Sequence, residues 1–138
     1  TGESMPWLTP EEVESLAISY GTLTAKERKV MEDHVVITQR LLNKIKFSKE
    51  YSSVPLYAAA HHEKLNGKGY PNGLEANQLP IGTRILTIID VFEALTAKDR
   101  PYKQPMSIER AFDVLDKMIA DGELDNELVD LLKEWRQL

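Results

Sequence analysis

The chain has 138 residues, enough for one domain that buries about two thirds of its unfolded surface. Its 22 acidic against 17 basic residues give a formal charge of −5, which argues against DNA or RNA as a partner, because a nucleic-acid binder needs a basic face. There is no cysteine, so thiol catalysis, disulfides and cysteine zinc sites are excluded, and any metal must be held by nitrogen and oxygen.

In chain order the pattern predicts five to six helices. Thr9 caps a helix that Pro10 opens and Glu11 and Glu12 favour, running to about Ser19 before Gly21 stops it. Thr24 caps a second, long helix, and Glu27 closes a capping box with it. Val30, Met31, Ile37, Leu41, Leu42 and Ile45 recur at helical spacing as its apolar face, and His34 sits on the same stripe. Pro55 opens a third helix that leads through Ala60 into His61, His62 and Glu63. The following NGKGYPNG, Asn66 to Gly73, is too rich in glycine and proline for helix and predicts a constrained loop.

After Pro80 comes the most apolar run, Ile81 to Leu95. Propensity alone would allow a strand, but its length and lack of strict alternation predict a buried helix. Residues 97–105 form a loop. Ser107 caps an amphipathic helix that Gly122 ends, and Asp125 caps the last helix, which carries Leu128, Leu131, Leu132 and Trp135. No repeat or second-domain boundary interrupts residues 1–138, so the expectation is a single all-α unit. No stretch approaches the ~20 apolar residues of a membrane span. The first residues lack the basic and apolar regions of a signal peptide, so a cytoplasmic location is expected.

Three histidines are present, and all fall where a buried site can form. A histidine on an apolar stripe is ordinarily a hydrogen-bonded core residue, so His34 alone carries little weight. His61 and His62 share the broad face of one helix end and lead into the glycine-rich loop. They read equally as metal ligands or as histidines suited to a helix C-terminus. Asp90 interrupts an apolar run, where a bare carboxylate is costly. It is therefore a metal ligand, a partner of Arg84, or turned to solvent. Glu93, one turn further on, can orient a neighbour or ligand. Histidine and carboxylate without thiolate suit zinc, iron or manganese. Arg100 and Lys103, separated by Pro101, are a candidate grip for phosphate. The glycines do not spell a dinucleotide fingerprint, and no HExxH, Walker A or GxSxG motif is present.

Taken together, HHEKLNGKGYPNGL at 61–74 and RILTIIDVFEALTAKDRPYK at 84–103 closely resemble the HD-GYP family, metal-dependent hydrolases of the bacterial second messenger cyclic di-GMP. The family pattern is HHE-x-x-D-G-x-G-Y-P followed by R-I-x-x-I-x-D-x-(F/Y)-(D/E)-A-L-T and R-P-Y-K. The upstream GTLTAKERKVMEDHVVIT is similar to the segment that supplies a further ligand histidine, and the likeness runs from about Gly21 to Glu134. It implies an HD-domain-like helical bundle and two-metal phosphodiester hydrolysis. By the same resemblance His34, His61, His62 and Asp90 are metal ligands, with His62 and Asp90 at the catalytic centre. The implied substrate contacts are Gly69 and Tyr70 of the GYP loop, Glu93, and the phosphate-holding Arg100 and Lys103. The implied cofactor is a cluster of two or three divalent metals, often iron, sometimes manganese.

The chain departs from the pattern twice. Asn66 stands where the family has the acid of HHExxDG, and is expected to hold the left-handed turn there. The His-Asp dyad that names the family is absent, the nearest match being the reversed Asp33-His34. The expectation is therefore that this chain is the C-terminal portion of an HD-GYP domain. The dyad half, and an upstream sensor or receiver domain, would lie outside it. One reading makes the parent a cyclic di-GMP phosphodiesterase to which this chain brings the GYP part of the site. The other is a degenerate, non-catalytic module that binds cyclic dinucleotide, or a protein through its GYP loop. For this chain by itself, the missing half is expected to leave an apolar helix face uncovered, which predicts self-association, such as a homodimer.

Overall fold

A computed structural model describes residues 9–17, 23–97 and 105–136. Those residues form six α-helices: α1 (Pro10–Leu16), α2 (Ala25–Leu42), α3 (Val54–Ala60), α4 (Ile81–Thr96), α5 (Ile108–Ala120) and α6 (Asn126–Trp135). Single 3-10 turns lie at Lys49–Tyr51 and Ala76–Gln78. No strand occurs among the described residues, so the fold is the all-α, HD-domain-like arrangement the sequence predicts. The chain divides into two compact units, residues 1–34 and 35–138, with the division inside α2.

In the first unit the helix starts follow local chemistry. The Thr9 hydroxyl accepts the Glu12 N–H at 3.2 Å and the Glu12 carboxylate accepts the Thr9 N–H at 2.7 Å, a complete capping box. Thr24 and Glu27 repeat the exchange at the start of α2, at 3.2 and 2.9 Å. The described part of α1 ends at Leu16, short of the expected Ser19, and residues 18–22 lie outside the described ones.

In the second unit α4 packs against α3, α5 and α6. Its Ile88 joins Leu115 of α5, Leu124 of the α5–α6 turn and Val129 of α6 in the core, flanked by a Phe92–Phe112 ring pair at 5.2 Å. Ser107 and Asp125 accept the N–H groups of Arg110 and Leu128, as their capping sequences predict.

Burial differs from the periodic pattern in three helices. On α2 the buried residue is Val35, while Val30, Met31, Ile37 and Leu41 stay exposed, and the helix ends at Leu42, short of the expected Ile45, which is exposed beyond it. On α6 Val129 is buried, whereas Leu131 and Trp135 are exposed. On α4 the expected wholly buried helix shows one buried face of Thr83, Thr87 and Ile88 and leaves Ile81, Ile85 and Ile89 open. Periodicity identifies an apolar face but not what covers it. Ile85 and Ile89 of α4 and Leu131 and Trp135 of α6 line one apolar groove of about 340 Å³.

Candidate metal centre

The site grows from the end of α3 and the middle of α4. His61 caps α3, so His61 and His62 occupy the turn that leaves the helix. His61 Nδ1 lies 2.8 Å from the Ala58 carbonyl. A carbonyl only accepts, so Nδ1 carries the proton and Nε2 the lone pair, the form in which a neutral imidazole binds metal. The two imidazoles have centroids 4.0 Å apart, and their ligand-capable nitrogens fall within 4.8 Å of each other.

Asp90 comes to this pair from α4. Its Oδ2 is 3.8 Å from His62 Nδ1, beyond hydrogen-bond range. Two donors each ~2.1 Å from a shared metal can be separated by up to twice that distance. The carboxylate–imidazole spacing therefore fits a common divalent ion, and the N/O donor set suits zinc, iron or manganese. Asp90 is 41% exposed and His62 24%, so the site opens to solvent. Arg84, weighed in the sequence as Asp90's partner, points elsewhere. It donates to Asp125 Oδ2 and the Leu79 carbonyl at 2.9 Å and to the Ala76 carbonyl at 2.6 Å.

The 66–74 loop folds back on the histidine turn. The Tyr70 N–H reaches the His62 carbonyl at 3.2 Å, and the Tyr70 ring stacks on the His62 ring at 4.8 Å. Gly69 lies directly on the chain at 63–64, where an added Cβ would stand 2.4 Å from Glu63 Cα and Lys64 N. Only a residue without a side chain allows that approach. The positive φ of this loop's first turn falls on Gly67, at 73°, not on Asn66 as the sequence suggested. Asn66 has another task. Its Oδ1 accepts the Lys68 N–H at 3.1 Å while Nδ2 donates to the Asp121 carbonyl at 3.0 Å, a bond an aspartate cannot make.

Of the remaining expected residues, Glu93 is exposed one turn beyond Asp90. His34 belongs to the first unit, where its Nδ1 approaches the Met31 carbonyl as His61 approaches Ala58. Arg100 and Lys103 lie outside the described residues. Sequence reading gave no role to Glu63, which is only 1% exposed and whose two carboxylate oxygens accept the Asn72 and Leu74 N–H groups at 2.7 and 2.9 Å. Its place as the third letter of HHE was the available signal.

Residues 7–128 match the family described as HD domain. The chain is 33% identical over 114 residues to a 3'3'-cGAMP-specific phosphodiesterase 3 of Vibrio cholerae, covering 83% of this chain and 24% of the relative. It is 41% identical over 115 residues to the 3'3'-cGAMP-specific phosphodiesterase 2 of the same organism, covering 83% and 21%. A cyclic di-GMP phosphodiesterase of Thermotoga maritima is 36% identical over 98 residues, covering 67% and 24%. The chain thus spans a quarter or less of the length of these relatives. With this match and the HHE and GYP segments in their expected order, the chain belongs to the HD domain family, in its HD-GYP group.

Proposed function

We propose that the chain is the C-terminal, GYP-bearing part of a metal-dependent cyclic dinucleotide phosphodiesterase, with cyclic di-GMP as a substrate. The observation that carries this reading is the meeting of His61, His62 and Asp90 beside a tyrosine stacked on His62. In this reading His34, His61, His62 and Asp90 hold the metal, with His34 assigned through its family position. Iron, manganese or another divalent ion in a cluster of two or three would polarise the phosphodiester and activate water.

The chain's own groups hold and orient the substrate. Tyr70 presents an aromatic face for a guanine beside the ligand histidine. Gly69 keeps the loop backbone close to the site. Arg100 and Lys103 grip the phosphates, Arg100 with a planar fork and Lys103 with a point charge. Glu93, on the helix that carries Asp90, contacts or orients substrate. The reading also takes in the cytoplasm as location, the upstream dyad half and sensor or receiver domain as partners, and self-association through the α4–α6 groove.

Metal content and hydrolysis of cyclic di-GMP and 3'3'-cGAMP, measured on the 138-residue chain and on a version extended upstream through a His-Asp dyad, test it. Turnover confined to the extended version is the expected result. Stoichiometric two-metal binding and full turnover by the 138 residues alone would overturn the partial-site reading. Dinucleotide binding without hydrolysis in both would favour the non-catalytic module. Asp90→Ala should lower metal content at least tenfold while leaving helix content unchanged by circular dichroism.

A further inference from the structure

Glu63 is buried beside the site, yet its carboxylate is turned away from metal-ligand duty. Both oxygens accept backbone N–H groups of the GYP loop, Asn72 at 2.7 Å on Oε1 and Leu74 at 2.9 Å on Oε2. At 1% exposure it is among the most enclosed large side chains of the chain. The opposite side of Tyr70 is fastened as well, through Gly69 lying on the backbone at 63–64 and the Tyr70 N–H on the His62 carbonyl. Tyr70 is thus held from both directions: downstream the Glu63 carboxylate takes two of the loop's amides, and beyond it the Ala76 N–H closes the loop on the Leu65 carbonyl at 3.0 Å.

We propose that Glu63 is a positioning residue that clamps the GYP loop so that Tyr70 remains stacked on His62, setting how a cyclic dinucleotide is seated without itself touching metal or substrate. The inference rests on the function proposed above for the substrate it names. Chemistry favours a carboxylate in this place. It offers two acceptors to two N–H donors, and charge-assisted bonds to backbone amides are about twice as strong as neutral ones. A glutamine of the same shape accepts with one oxygen and sets its own N–H groups against the second donor.

The test compares wild type, Glu63→Gln, Tyr70→Ala and the double variant, each in the 138-residue chain loaded with zinc and in the upstream-extended protein. In the zinc-loaded chain, Glu63→Gln should leave zinc content unchanged. It should speed hydrogen exchange at Asn72 and Leu74 about tenfold, and remove most of the ring-current shift that Tyr70 imposes on the His62 imidazole. In the extended protein it should raise KM for cyclic di-GMP about tenfold with kcat changed less than threefold. The same substitution in a Tyr70→Ala background should add less than twofold. Loss of zinc in Glu63→Gln, an unaltered His62 signal, or multiplying KM effects would each overturn the positioning role. Should the wild-type protein fail to hydrolyse any cyclic dinucleotide, the function falls, while the exchange and ring-current readings still decide the clamp. Glu63→Asp, which keeps the charge on a shorter arm, should recover part of the Leu74 protection that Glu63→Gln loses.

Discussion

Single residues in this chain are specialised by what their backbone neighbours require. Gly69 is the sharpest instance, because the atoms an alanine methyl would strike belong to main chain that cannot step aside. Gly69→Ala is expected to lift the loop and cost about 1–3 kcal/mol, the range of overpacking in a close-packed site. Urea denaturation measures the loss, and a midpoint equal to wild type would show that the 63–64 backbone yields. The sequence revealed the residue types here better than their tasks. HHE and GYP marked the segment, but a motif does not say which of its side chains accept backbone amide hydrogens. Glu63 and Asn66 were therefore legible as positions and not as clamp and tether. Arg84 shows the same limit, since a carboxylate in an apolar run left a nearby cation as one possible partner, and the structure bonds that cation to Asp125 instead.

Helix ends were the most readable elements, because a cap depends on residues only three apart. Thr9, Thr24, Ser107 and Asp125 all stand at the helix starts their sequences predict. Asp125 does two things at once, accepting the Leu128 N–H and the Arg84 guanidinium. Asp125→Ala is therefore expected to cost about 2–4 kcal/mol in chemical denaturation, against about 1 kcal/mol for Ser107→Ala, where only a cap is lost. Equal costs would mean the Arg84 bond adds nothing. The Glu27 carboxyl is held below its ordinary 4.5 by the Thr24 backbone N–H first and the Thr24 hydroxyl second. A depressed carboxyl contributes its stability above that ordinary value and loses it as pH falls through the lower, folded one. Protection factors of the amides in the first turn of α2, taken relative to the intrinsic exchange rate at each pH, should accordingly fall as pH drops below 4.5, and Glu27→Gln should flatten that dependence.

Across the whole molecule, apolar periodicity forecast more burial than the structure shows. Ile85, Ile89, Leu131 and Trp135 face outward around the α4–α6 groove, with Trp135 67% exposed. A standard interface takes ~800 Å² from each partner, and a contiguous apolar groove between two helices is the kind of surface on which one is centred. A second copy of the 138-residue chain is the expected cover when the chain is alone, and Leu131→Glu should shift its sedimentation toward monomer. A wild-type chain that stays monomeric at high concentration would refute this. The missing cover could not be read from the pattern, because a helix face looks the same whether its partner belongs to the same chain or to another.

The ties between the histidine turn and the α5–α6 turn bear on the order of assembly. Lys64 pairs with Glu123 at 2.7 Å, the Leu65 N–H meets the Glu123 carbonyl at 3.0 Å, and Asn66 reaches Asp121 across 55 positions. While the chain is being synthesised, the HHE turn emerges long before the residues that anchor it. His61 and His62 must wait until nearly all of this segment has left the ribosome before the loop beside them can be anchored, and a chain released before residue 121 would lack every one of these ties.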